Sequence, residues 1–273
     1  MVYTKDQLAK LQSTLNEILG MIDVLCKRNN IEYFAIAGTL LGTVRHEGFI
    51  PWDDDIDIGM MRDDYNRFLE VLVKELPKGY TYVNYEVNKH CPNIFTKVCK
   101  EGTTFVEEET ESLDIPHCIF VDIMPIDKTS PVPEKRVKHL KRIRFYYQLF
   151  KSKSLWKVSS ISNKKRKFVG KIVRPLLHIF LFAFSKQKIY KKINNLLNKY
   201  NYLDTDYYVF YKGLERGAVP YNWVFPLKVL KFESRSIFVP NEYEKVLNQL
   251  YGDYTILPPE EKRQSHCPKR LSF

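Results

Sequence analysis

Trp52-Asp-Asp-Asp-Ile-Asp-Ile-Gly59 is the stretch on which the reading of this 273-residue chain turns. Along an extended strand successive side chains point to opposite faces, so Asp53, Asp55 and Asp57 share one face while Ile56 and Ile58 point into a core. Three carboxylates on one face repel each other unless something positive sits among them. A divalent cation that takes carboxylate, phosphate and water oxygens meets that need. An exposed acidic loop is the plainer alternative, but it leaves the Asp/Ile alternation and the neighbouring Phe49 and Trp52 unexplained.

Upstream, Ile31 to Ala37 reads as a buried strand broken at Gly38, and Thr39 to Arg45 as a short helix or turn. Gly38 permits close approach, and Thr39 with the backbone N–H groups around it suits a phosphate. Before this comes the capping-box pattern Thr4-Lys-Asp-Gln7. Leu8, Leu11, Leu15, Ile18, Leu19, Ile22 and Leu25 follow at helical spacing, predicting a helix to about Lys27. Downstream, Asp63 or Asp64 caps a helix with Tyr65, Phe68, Leu69 and Leu72 on its apolar side, stopped near Pro77. Tyr80 to Val87, Asn93 to Lys100 and His117 to Ile123 read as strands, the last ending at Pro125. In it Ile119, Val121 and Ile123 line one face, which leaves Asp122 on the other as a third acidic candidate. Asp127 competes, although its place after Pro125 also suits a turn. Arg45 and Lys97 are candidate phosphate contacts. Further on, the sequence predicts a strand pair from Val229 to Val239 and a helix from Asn241 to Tyr251.

With 44% apolar and 27% charged residues the chain is globular, neither disordered nor fibrous. Its net charge of +11 is unevenly spread. Lys135 to Leu203 holds 20 Lys/Arg and no Asp or Glu, leaving 23 basic against 32 acidic residues elsewhere. This basic section reads as helical, with breaks around Ser159 to Asn163 and near Pro175. Its apolar run Pro175 to Phe184 is too short to span a bilayer. It is either an interfacial helix on an anionic membrane, with Trp156 as a wedge, or a buried helix. Nucleic acid is the other polyanion to weigh, but no zinc-finger spacing or RNP-like motif supports it. Five cysteines without a pairing rule, and no apolar leader, predict free thiols and a cytoplasmic protein, peripheral on the inner face of the membrane.

Phe34-Ala-Ile-Ala-Gly-Thr-Leu-Leu-Gly-Thr-Val-Arg-His-Glu-Gly-Phe-Ile-Pro-Trp-Asp-Asp-Asp-Ile-Asp-Ile-Gly59 closely resembles the signature of the LicD family, bacterial transferases of phosphocholine onto surface glycans related to the fukutin-type transferases. The resemblance continues in Gly102-Thr-Thr-Phe105, Ile119-Phe-Val-Asp-Ile-Met-Pro-Ile-Asp127, Trp223-Val-Phe-Pro226, Tyr251-Gly-Asp-Tyr254, Leu257-Pro-Pro259 and Arg263. It covers residues 1–130 and 205–270, and the basic middle matches poorly. The chain departs from the pattern at His117-Cys118, at Phe232-Glu233-Ser234, and at His266-Cys267, where paired histidines are usual.

The resemblance implies an α+β fold: a nucleotidyltransferase-like mixed sheet flanked by helices, with a basic helical insertion. The expected division is a catalytic core over 1–132, the insertion over 133–204 and a C-terminal part over 205–273. It also implies Asp55, Asp57 and Asp122 as carboxylates for Mg²⁺ or Mn²⁺, and Gly38 and Thr39 on the phosphate side. The implied donor is CDP-linked, such as CDP-choline, the acceptor a glycan or lipid-linked glycan hydroxyl, and the leaving group CMP. Nucleotidyl transfer with loss of pyrophosphate, and a non-catalytic polyanion-binding protein, are the alternatives. A choline cage from Tyr207, Tyr208, Tyr211 and Trp223 competes with ordinary core packing of the same rings.

Overall fold

The structure is a computed structural model that describes residues 3–155, 185–210, 216–263 and 265–273. Helix α1 (Lys5–Arg28) starts at the expected capping box: Thr4 accepts from the Gln7 N–H while the Gln7 side chain accepts from the Thr4 N–H. Its apolar stripe, Leu11, Leu15, Ile18, Leu19, Ile22 and Leu25, is fully buried. Strand β1 is only Phe34–Ala35, because α2 (Ala37–His46) begins at once. Strand β2 (Asp57–Met61) follows, then α3 (Arg62–Glu75), where Asp63 and Asp64 occupy the first turn rather than the cap.

Strands β3 (Tyr80–Val83), β4 (Thr96–Lys100), β5 (Thr104–Val106) and β6 (Ile119–Lys128) complete the first half. The central sheet runs β1-β2-β6-β4-β3, with β2 and β6 parallel and the other pairs antiparallel. β6 does not stop at Pro125. Pairing with β4 ends at Ile123, so the missing proline N–H falls where that ladder has finished.

Helices α4 (Pro133–Ser154) and α5 (Lys186–Leu197) pack on each other through Leu140, Ile143, Phe150, Ile189 and Ile193, and onto Tyr85, Ile94 and Val209. The expected breaks at Ser159 to Asn163 and near Pro175, the Pro175 to Phe184 run, and Trp156 lie outside the described residues. Among the described residues no helix is long and apolar enough to cross a membrane.

The C-terminal third adds β7 (Tyr207–Val209), which pairs with Asp127 and Lys128 at the far end of β6, and β8 (Val219–Pro220) beside it. A one-turn helix α6 (Tyr221–Val224) precedes the hairpin β9 (Lys228–Phe232) and β10 (Arg235–Val239), followed by α7 (Tyr243–Tyr251). Strand β11 (Arg270–Ser272) pairs with β5. Phe232, Ile237, Val239, Val246 and Leu247 enter the same core as α1 and the central sheet. All five cysteines are free thiols, four of them buried. The architecture is the expected α+β fold.

Candidate active site

Only the last part of the acidic run is a hydrogen-bonded strand. Asp53 to Ile56 approach it as irregular extended chain, and β2 opens at Asp57. Side-chain alternation nevertheless survives across the first four residues: Asp54 and Ile56 are buried, Asp53 and Asp55 half-buried. Asp57, at 1% exposure, closes the run at the strand's first pair.

The parallel register sets Asp57 directly beside Asp122 on β6, and the antiparallel register sets Lys97 on β4 beside Asp122. Three charged positions therefore lie in a row across neighbouring strands. Lys97 Nζ is 3.6 Å from an Asp122 carboxylate oxygen, 3.6 Å from Glu107, and 3.2 Å from the centre of the Phe120 ring. Burial works against its charge, but Asp122 and Glu107 outweigh it and hold the ammonium above its usual range. Lys97 and Asp122 thus form a largely buried ion pair.

Helix α2 brings in the Gly-Thr pair. Thr39 is buried, and its hydroxyl accepts the Asp57 backbone N–H at 2.8 Å, fastening the first turn of α2 to the first residue of β2. Its hydroxyl proton remains available as a donor. A side chain at Gly38 would place its Cβ 2.8 Å from an Asp53 carboxylate oxygen, so glycine is what lets Asp53 lie against the start of the helix. Burial first, then the charges of Asp55, Asp54 and Asp57, push the Asp53 carboxyl up to about 8. Asp53, Asp54, Asp55 and Asp57 share this corner, with the charge of His266 acting against their mutual repulsion.

Asp54, on the core-facing parity, is the residue the sequence reading overlooked. Its two oxygens accept from the Tyr3 hydroxyl (2.6 Å), the backbone N–H groups of His266 and Cys267 (3.0 Å each) and His266 Nδ1 (2.9 Å). Burial opposes its charge, yet these bonds prevail and keep the carboxyl below its usual range. Asp54, Asp55 and His266 each place one donor atom within 4.8 Å of the others, a grouping suited to a cation. The carboxylate of Asp54 is nevertheless occupied by its four hydrogen bonds. The signal that marks it is its parity: an aspartate among core-facing isoleucines needs partners.

Arg45 sits in the last turn of α2, six residues from Thr39. Its guanidinium donates to the Tyr254 carbonyl (2.9 Å) and to His46 (3.0 Å). These contacts tie down the Tyr251–Tyr254 turn and do not join it to the carboxylates. Asp127 is held by Arg62 through Nε (2.8 Å) and Nη2 (2.5 Å) and accepts from Asn201 at 2.7 Å. It fastens β6 to α3 rather than serving the site. The rings proposed for a cage are spent on packing: Tyr208 is buried, Arg136 lies 3.4 Å from the Tyr207 ring centre, and Trp223 packs on the main core. Tyr211 lies outside the described residues.

Residues 30–151 match the model of the family LicD/FKTN/FKRP, nucleotidyltransferase domain, which places this sheet in that class. The lipopolysaccharide cholinephosphotransferase LicD of Haemophilus influenzae is 31% identical over 259 residues, covering 91% of each chain. The chain belongs to the LicD family and is a transferase. Two uncharacterized rickettsial proteins match over shorter stretches. The one from Rickettsia prowazekii is 45% identical over 34% of this chain and 36% of its own length, and the one from Rickettsia typhi 41% over 30% and 28%.

Proposed function

We propose that this protein transfers a phospho-alcohol, phosphocholine in the first instance, from a CDP-linked donor to a hydroxyl of a cell-surface glycan or lipid-linked glycan precursor. CMP is the product released, and the reaction runs on the cytoplasmic side of the membrane. The observation that carries the reading is the register that sets Asp57 against Asp122, with Asp55 and Asp53 crowding the same corner. The full-length likeness to a cholinephosphotransferase supports the choice of phosphocholine.

The donor set fits a hard divalent cation. Asp55, Asp57 and Asp122 offer carboxylate oxygens, and burial followed by the neighbouring aspartates raises the Asp53 carboxyl, a shift that a cation in this corner would oppose. Mg²⁺ or Mn²⁺ held there would neutralise phosphate oxygens of the donor and of the departing CMP. The chain's own groups do the rest. Thr39 and the first turn of α2 face the phosphate with a hydroxyl proton and backbone N–H groups. Lys97, 3.6 Å from its carboxylate, positions Asp122. The acceptor oxygen forms its bond to the phosphorus bearing the alcohol while the bond from that phosphorus to the oxygen of CMP breaks. Asp122 can take the hydroxyl proton.

Incubation with a panel of CDP-alcohols and candidate glycans, read by product mass, tests this directly. The acceptor gains the mass of a phospho-alcohol, and CMP appears only with Mg²⁺ or Mn²⁺. Gain of a whole nucleotide would instead establish nucleotidyl transfer. No mass gain with any donor, alongside intact folding, overturns the proposal.

A further inference from the structure

The far end of β6 leads into a concave site away from the carboxylates. Asp122 and Ser130 are eight residues apart along an extended chain, roughly 26 Å. There α4, α5 and the turn after α5 enclose a cavity of about 540 Å³ that includes Ser130 in its wall. Lys135, Lys138 and Arg142 line it from α4, and Lys199 from the turn following α5. On α4 the three cations recur at helical spacing, so they form one stripe. None of the four is ion-paired with a carboxylate among the described residues.

The floor is apolar: Leu196 and Tyr200 are buried beneath the cations. The lip is apolar too, and exposed. Val132 is 40% and Leu203 50% exposed, and the adjoining Tyr202 is 92% exposed. His139 belongs to the frame rather than to the cavity's chemistry. Its Nε2 faces the Leu196 carbonyl at 2.7 Å and its Nδ1 the Thr129 hydroxyl at 2.9 Å, which locks the ring between the two helices.

We infer that this cavity seats the phosphate-bearing headgroup of an anionic phospholipid, so that the α4–α5 pair docks the protein on a bilayer surface. Unpaired cations supply the attraction for phosphate. Exposed aliphatic and tyrosine side chains at the lip suit a headgroup–acyl boundary, where an apolar body gains contact and a hydroxyl keeps water. A duplex nucleic acid would leave those apolar side chains in water and has no use for an apolar floor. The inference goes beyond the transfer reaction and stands without it, since its test measures no turnover.

The test is flotation of the full chain with vesicles at about 0.1 M salt, where long-range surface attraction is screened. The protein should float with vesicles of phosphatidylglycerol and phosphatidylcholine and remain behind with phosphatidylcholine alone. Lys138→Glu/Arg142→Glu should lower partitioning at least about 30-fold. Lys141→Glu/Arg144→Glu makes the same charge change on the same helix outside the cavity lining, and should cost far less. The milder pair Lys138→Gln/Arg142→Gln serves if charge reversal disturbs α4, with thermal unfolding checked for each. The inference is overturned by absence from anionic vesicles, by equal binding to neutral ones, or by an equal loss in the Lys141/Arg144 pair. Tighter binding to a DNA duplex than to the anionic vesicles overturns it as well.

Discussion

The two ends of β6 are opposites. At its start Asp122 joins Asp57 and the Asp53–Asp55 run in a corner crowded with negative charge, built by strand register. At its finish the chain enters α4, and Lys135, Lys138, Arg142 and Lys199 gather with no acidic partner among the described residues, built by helical spacing. The charge of the first region would attract a cation and that of the second an anion. Placing both on one rigid strand separates them, so that neither cancels the other. The opposing segments of the sequence, one acid-free and one rich in aspartate, are thus the linear record of a spatial division.

The contact between the two regions offers the largest effect. Arg62 and Asn201 both hold Asp127, so Arg62→Ala leaves a buried carboxylate facing the helix pair without its countercharge. We expect a loss of about 3–5 kcal/mol in chemical denaturation, and a value near zero would mean that the two regions are not joined there. Asp57→Asn and Asp122→Asn act only on the acidic corner. Each should lower CMP release by roughly 10²–10³-fold while thermal unfolding stays close to wild type. Retained release in both would remove the carboxylate row from the chemistry.

A smaller effect is expected at Asp54→Ala, which strips the partners from the Tyr3 hydroxyl and the His266–Cys267 backbone. About 1.5–3 kcal/mol of stability should go, with faster hydrogen exchange across residues 265–273 and little change in α4. Exchange that rises equally in both regions would deny Asp54 a local role.

Acidity should move the two regions in opposite directions, the smallest effect and the sharpest contrast. The folded Asp53 carboxyl, at about 8, binds its proton more tightly than in the unfolded chain. Its contribution is therefore present at low pH and lost as pH rises from the unfolded carboxylate range through about 8. The His139 ring is held below its usual range, by burial above all, so its contribution is present above about pH 6.5 and lost as pH falls through that value. Hydrogen exchange of the metal-free protein at pH 5.5 and 8 should show α4 and α5 softening in acid while residues 53–57 soften in base. Adding Mg²⁺ should abolish the second effect and leave the first.

Much of this was legible in the residues, wherever the cause is local. The Thr4–Gln7 box and the leucine stripe gave α1, and the turn between Phe232 and Arg235 lies inside a strand pair visible in its alternation. Parity alone separated Asp55 from Ile56. What parity does not carry is register. That Asp57 meets Asp122, with Lys97 one strand further on, depends on pairings between segments far apart in the chain. Pro125 misled for a related reason: a proline ends a strand only if a neighbour needs its N–H, and β4 has already ended. Arg45 was a reasonable phosphate ligand by type, yet a carbonyl from the Tyr251–Tyr254 turn claims it.

Asp54 collects a hydroxyl from residue 3 and three donors from residues 266 and 267, the latter 212 positions away in the chain. The acidic loop is thus gripped by segments that a ribosome makes at very different times. A nascent chain that has produced the Asp53–Asp57 run still lacks the residue 266–267 donors that hold Asp54.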